Sequence, residues 1–130
     1  MELLYVRGST KMITRDEILK GQEIPPEYEA NLAVLLERLN KFRLMYGKPM
    51  IVTSGYRTIE HNKAIGGAKW SRHCVCMACD FADQDGEIKA WVKDNPEVLE
   101  ICDLYMEDPL VTLTWIHLDT LPRKNRVFKI

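Results

Sequence analysis

No run in the chain approaches the eighteen or so consecutive apolar residues of a membrane-spanning helix. Its start, MELLYVRGSTKMITRDEIL, lacks the charged opening, sustained apolar stretch and small-residue cleavage site of a secretory leader. A protein made in the cytoplasm without a signal peptide is therefore expected. If it acts outside the cell, lysis or another carrier has to release it. An excess of one charge is also missing, since 18 Lys and Arg stand against 19 Asp and Glu for a formal net charge of -1. No basic surplus draws the chain onto a polyphosphate, and nucleic acid is not an expected partner. There are no repeats, low-complexity tracts or linkers, and 130 residues suffice for one ordinary core.

Histidine is scarce, at positions 61, 73 and 117 only. The four cysteines form no pair of C-x2-C knuckles, the spacing that marks a structural zinc site. Cys74, Cys76 and Cys79 are too close together for unstrained bridges, so reduced thiols are expected, with Cys102 buried in a helix.

What is present reads as alternating short helices and strands. ITRDEIL looks like a short helix with Thr14 as its cap and Glu17 closing a capping box. From Glu27 to Tyr46, Leu32, Leu35, Leu36, Leu39, Phe42 and Tyr46 recur at helical spacing. Glu37, Arg38, Lys41 and Arg43 fall on the other faces, and Gly47 is the stop. PMIVTSGYR reads as a strand leaving through a Ser-Gly turn, and TIEHNKAI as a turn or two of helix ended by Gly66-Gly67. ACDFAD has the character of a buried strand. Residues 86 to 102 form one helix interrupted at Asn95-Pro96, or two short ones. DLYME and TLTWIHLDT predict two strands close enough to pair antiparallel, and NRVFKI a short edge strand. The expected organisation is a single α+β domain over residues 1–130.

The densest chemistry lies in SRHCVCMACDF, residues 71 to 81. Read alone, it allows a thiolate cluster of Cys74, Cys76 and Cys79, or a nitrogen and oxygen site that uses His73 and Asp80. His117 in TWIHLDT taken alone fits a hydrogen-bonded core histidine at least as well as a ligand. Arg57 alone fits a surface or carboxylate-paired arginine.

SGYR, HNKAIGGAKWSRH, ACD and WIHLDT, in that order, resemble the signature of the zinc D-alanyl-D-alanine carboxypeptidase family, which includes D-Ala-D-Ala dipeptidases and phage endolysins. The resemblance runs from about Ile13 to the C-terminus. It implies a small antiparallel sheet that carries a zinc site and packs against helices. It makes His73, Asp80 and His117 the Zn2+ ligands and Arg57 the cation facing the developing oxyanion. Ser71 becomes the residue that orients the loop or hydrogen-bonds the substrate. The implied activity is that of a metallopeptidase acting on peptidoglycan peptides, as a carboxypeptidase or an endolysin-type endopeptidase, and a monomer is expected.

Three positions depart from the pattern, one of them Trp115, where some members place a histidine two before the last ligand. Many members carry the catalytic acid three residues before the last zinc histidine, where this chain has Thr114. The nearest acids are Glu107, Asp108 and Asp119. Glu107 is expected to serve as the base, since it ends the strand beside His117, whereas Asp108 in EDP reads as a turn residue. Cys76 stands where the family has glycine in a His-x-x-Gly step. If that side chain distorted the loop, His73 and Asp80 would not converge and a binding-only relative would result; with Thr114 in place of the acid, the alternative is a degenerate relative that binds zinc or peptide without turnover, for example a phage structural component. His61 is left out of the metal set and expected at the groove or in a structural hydrogen bond.

Overall fold

The computed structural model describes residues 11–129; the reading of the first ten residues as no leader lies outside them. Thr14 caps helix α1 (Arg15–Leu19), with Glu17 completing the capping box, and α1 buries Ile18 and Leu19. A 3-10 turn at Pro26–Tyr28 leads into α2 (Glu29–Tyr46), which ends at Gly47 in the left-handed conformation. Leu32, Leu35, Leu39 and Phe42 are the buried stripe of α2. Arg43, expected on an outer face, is buried too, at a cavity that it lines together with residues 11–13 and 49–51.

The remaining elements are β1 (Val52–Ser54), α3 (Ile59–Ala64), β2 (Ala78–Ala82), α4 (Glu87–Asp94), α5 (Glu97–Cys102), β3 (Tyr105–Glu107), β4 (Trp115–Asp119) and β5 (Val127–Phe128). The helical signal of residues 86 to 102 resolves into two helices at Asn95-Pro96, since a proline cannot donate to an i−4 carbonyl. Five strands form one sheet in the order β1-β2-β4-β3-β5. Every pairing is antiparallel except β3 with β5, which is parallel. One face of the sheet packs on the helices through Phe81, Ile116 and Leu118 against Leu35, Phe42, Val92 and Leu99. The rings of Phe42 and Trp91 meet edge to face at 5.3 Å and tie α2 to α4. Together these elements form one α+β domain.

Two irregularities aim side chains at the other face. Val52 pairs with Phe81 but Ser54 with Asp80, so β1 carries one extra residue at Thr53, a bulge beside the segment that leads to Arg57. Between α3 and β2 the chain makes a 3-10 turn over Arg72–Val75, which sequence spacing did not announce. Its cap is Ser71, whose Oγ accepts from the His73 backbone N–H at 3.2 Å. The turn closes at Cys76 with φ of 60°, the left-handed region where glycine is cheapest. Cys76 adopts it with its side chain fully buried, so the loop holds its course despite the missing glycine.

Candidate metal centre

Asp80 in β2 and His117 in β4 are direct partners across the sheet, so their side chains leave it on the same face. The 3-10 turn brings His73 over them. One ligand atom each from His73, Asp80 and His117 lies within 4.8 Å of the other two, and all three residues are buried. Among the described residues this is the only group of three or more such side chains that converges to hold a metal. The cysteines do not converge. Burial pushes the Cys76 and Cys102 thiols up to about 11 and the Cys79 thiol well above its ordinary value, so the ligand-competent thiolate is disfavoured at each.

The hydrogen bonds around the three donors fix which atoms face inward. His73 Nδ1 is 2.8 Å from the Gly55 carbonyl, to which it donates, leaving Nε2 directed at Asp80 Oδ1 at 3.2 Å. His117 Nδ1 is 2.8 Å from Asp80 Oδ1, while its Nε2 faces Asp119 Oδ2 at 2.8 Å. Burial opposes charge on the His117 ring, but the hydrogen bonds and charges of Asp119 and Asp80 outweigh it and raise its pKa to about 9. Burial likewise opposes ionisation of Asp80, and the hydrogen bonds of His117 and His73 overcome that and hold the carboxyl well below its ordinary range. Two imidazole nitrogens and a carboxylate oxygen at this spacing are a donor set that suits a divalent cation.

The cluster opens into a cleft of ≈ 580 Å³. Arg57 stands on one side, with Nη2 3.5 Å from Asp80 Oδ2. Its Nε donates to Ser54 Oγ and its Nη1 to Asn62 Oδ1, both at 3.1 Å. Asn62 is in turn fixed by a 2.8 Å bond from Nδ2 to the Ala68 carbonyl. A Cβ on Gly67 would lie 2.0 Å from Asn62 Oδ1, so the Gly66-Gly67 step is what lets the loop pass so near. Glu107 lines the cleft at the end of β3. Tyr105 pairs with Asp119 and Met106 with Leu118, and that register carried one residue further sets Glu107 opposite His117. Burial is the main reason its carboxyl is raised above the ordinary value, with His117 pulling the other way. Ser71 also lines the cleft.

Several residues named from the sequence lie outside the donor set. Asp119, one of the candidate acids, is completely buried, backing His117 and paired with Arg123 Nη2 at 2.9 Å. Asp108 is a turn residue, accepting from the Leu110 N–H at 2.9 Å. Thr114 is exposed and absent from the cleft wall, and its carbonyl accepts from the Asp83 N–H. His61 is exposed on α3 and does not line the cleft. Asn62 and Arg123 went unnoticed in the sequence. Neither is marked by local spacing, because their partners are brought close only by the fold.

No curated protein matches the chain. A family model described as Peptidase M15 matches residues 10–119, a span that contains Arg57, Ser71, His73, Asp80, Glu107 and His117. The family is one of zinc-dependent metallopeptidases, in keeping with the two imidazoles and one carboxylate gathered in the cleft. No helix of the described residues is long and apolar enough to cross a membrane. The match covers most of the sequence and agrees with the resemblance carried by its four motifs: the chain belongs to the Peptidase M15 family.

Proposed function

We propose that the protein is a zinc peptidase that hydrolyses peptidoglycan stem peptides next to a D-amino acid, as a D-Ala-D-Ala carboxypeptidase or an endolysin-type endopeptidase. The observation that carries the reading is the convergence of His73, Asp80 and His117 in one cleft with a fixed arginine and a half-buried glutamate. The substrate class rests on the four-motif resemblance and on family membership. A wall-cutting protein released from the cell that makes it is part of the same proposal.

The donor chemistry fits zinc. Two imidazole nitrogens and a carboxylate oxygen are a ligand set of catalytic zinc, and each ring already has its other nitrogen held by an outer partner, Gly55 for His73 and Asp119 for His117. His73 Nε2, Asp80 Oδ1 and His117 Nδ1 would hold the ion, which when bound supplies Lewis-acid polarisation of the scissile carbonyl and a more acidic water. Glu107 takes the proton of the attacking water and delivers it to the leaving amine. Its raised pKa suits the second half of that task, since a carboxylate that accepts a proton more readily holds it until the amine departs. Arg57, immobilised by Ser54 and Asn62, places positive charge where the carbonyl oxygen becomes negative, with no reorganisation left to do at that moment. Ser71 fixes the His73 turn through its Oγ and stands at the cleft wall to meet the peptide backbone.

The presence of Glu107 in the cleft favours an enzyme over a binding-only relative, despite Thr114. The test is digestion of a defined muropeptide by the zinc-loaded protein, with products identified by mass spectrometry. Loss of a terminal D-alanine or a cut within the stem is the expected result, absent in His73→Ala. An intact muropeptide after prolonged digestion with fully loaded protein would sink the hydrolase reading.

A further inference from the structure

The cleft contains a second immobilised arginine that the proposed reaction does not use. Arg123 lies four residues beyond Asp119 and outside the span matched by the family model. Its guanidinium carbon sits 3.4 Å from the centroid of the Phe128 ring on β5, which fixes its plane, and Nη2 is anchored on Asp119 Oδ2. The Asp119 bond is its one hydrogen bond among the described residues. Nε is buried with no partner among them. A buried N–H without an acceptor is costly, and a functional role is one of the reasons such a group is kept.

The arginine also stands in the right field. Arg57, Lys69, Arg72 and Arg123 line the cleft against three carboxylates, and a divalent ion would make the surplus larger, on a chain whose net charge is -1. An anionic group is drawn into such a cleft. The two fixed arginines reach it from opposite edges of the sheet, Arg57 from the exit of β1 and Arg123 from its seat on β5. A peptide lying across the donor set would meet Arg57 at the reacting carbonyl and Arg123 at some distance from it.

We infer that Arg123 is a specificity residue that binds a carboxylate of the substrate, an inference that rests on the peptidase reading. The planar guanidinium fork suits a carboxylate, and its orientation is already fixed by Phe128 and Asp119, so little freedom is lost on binding. Two carboxylates of a stem peptide have this chemistry: the free C-terminus and an acidic side chain.

Calorimetric titration of zinc-loaded protein with three matched peptides ending in D-alanyl-D-alanine tests the inference and separates the two sources. One peptide has a free C-terminus, one a C-terminal amide, and one the amide together with a free side-chain carboxylate on D-glutamate. One of the two acidic peptides is expected to bind about 10- to 100-fold more tightly than the neutral one. Arg123→Gln is expected to erase that preference, and Arg123→Lys, which keeps the charge beside Asp119 but not the fork, to retain only part of it. Melting temperature and zinc content check that each variant is folded. If Arg123→Gln does not fold, undiminished preference in Arg123→Lys overturns the inference. So do equal affinities for all three peptides, no measurable binding of any, or a preference that survives Arg123→Gln. Preference without cleavage removes the hydrolase reading and leaves the carboxylate site; cleavage without preference does the reverse.

Discussion

His117 Nε2 lies 2.8 Å from a carboxylate oxygen of Asp119, its neighbour two places along β4, and Asp119 is completely buried. The alternation of a strand puts both side chains on one face, so the residue behind the ring is supplied by the same five-residue element that supplies the ring. Replacing Asp119 by Asn removes the charge that makes His117 a better donor. Zinc affinity, measured by competition with a chelator, is expected to fall about 10- to 100-fold. Unchanged affinity would mean that Asp119 only fills space.

The pKa of His117 makes a prediction about acidity. In protein stripped of metal by a chelator, folding raises it from 6.5 to about 9. The stability this contributes is fully present below the unfolded value and is lost as pH rises through about 9. Stripped protein should resist urea better at about pH 6 than at about pH 10, and the difference should shrink in His117→Gln. Zinc needs the Nδ1 lone pair, so binding should strengthen over the same interval as protons cease to compete.

Glu107→Gln separates binding from turnover. The amide keeps the size of the side chain and cannot take a proton. Zinc content should be retained while kcat drops about 10²- to 10⁴-fold. In the parent protein the acid limb of the pH profile should lie above the ordinary glutamate range, because burial raises this carboxyl. Full activity in Glu107→Gln would remove Glu107 from the mechanism.

Changing Cys74, Cys76 and Cys79 to Ser should leave zinc content intact, whereas His73→Ala or His117→Ala should abolish it. Metal that followed the sulfurs would contradict the geometry of the cluster.

Gly55 is where the backbone of the site passes closest to α1. A Cβ there would sit 2.3 Å from the Ile18 carbonyl oxygen and 2.7 Å from Ile18 Cα, both backbone atoms that cannot swing aside. Gly55→Ala should destabilise the domain by about 1–3 kcal/mol or more in urea unfolding. Since the Gly55 carbonyl holds His73 Nδ1, zinc affinity should weaken as well.

Much of this was legible in the sequence because the signals are local. Thr14 with Glu17, Gly47 after an apolar stripe, and Asn95-Pro96 each act on the backbone within one turn, so the start of α1, the end of α2 and the break between α4 and α5 fall where spacing predicts, while α2 itself starts at Glu29, two residues later than predicted, after a 3-10 turn. The strands around Asp80 and His117 followed from their β-branched and apolar neighbours. What was hidden is set by contacts between distant residues. Asn62 acquires its partners only when Arg57 and Ala68 arrive, and the burial of Arg43 beside residues 49–51 is likewise set by the fold. The glycine missing at position 76 looked like a threat to the loop, yet the cysteine takes the left-handed conformation itself. Asp119 was noticed as an acid on the right face; its partnership with the ring depended on rotamers that spacing does not encode.

Asp80 and His117 face each other directly across β2 and β4. If that pairing slipped by a single place, one of the two would turn to the helix-covered side and the donor set could never close. An ion held there would therefore reward only one threading of the small sheet, since a chain paired one place out could not gain the free energy of coordination.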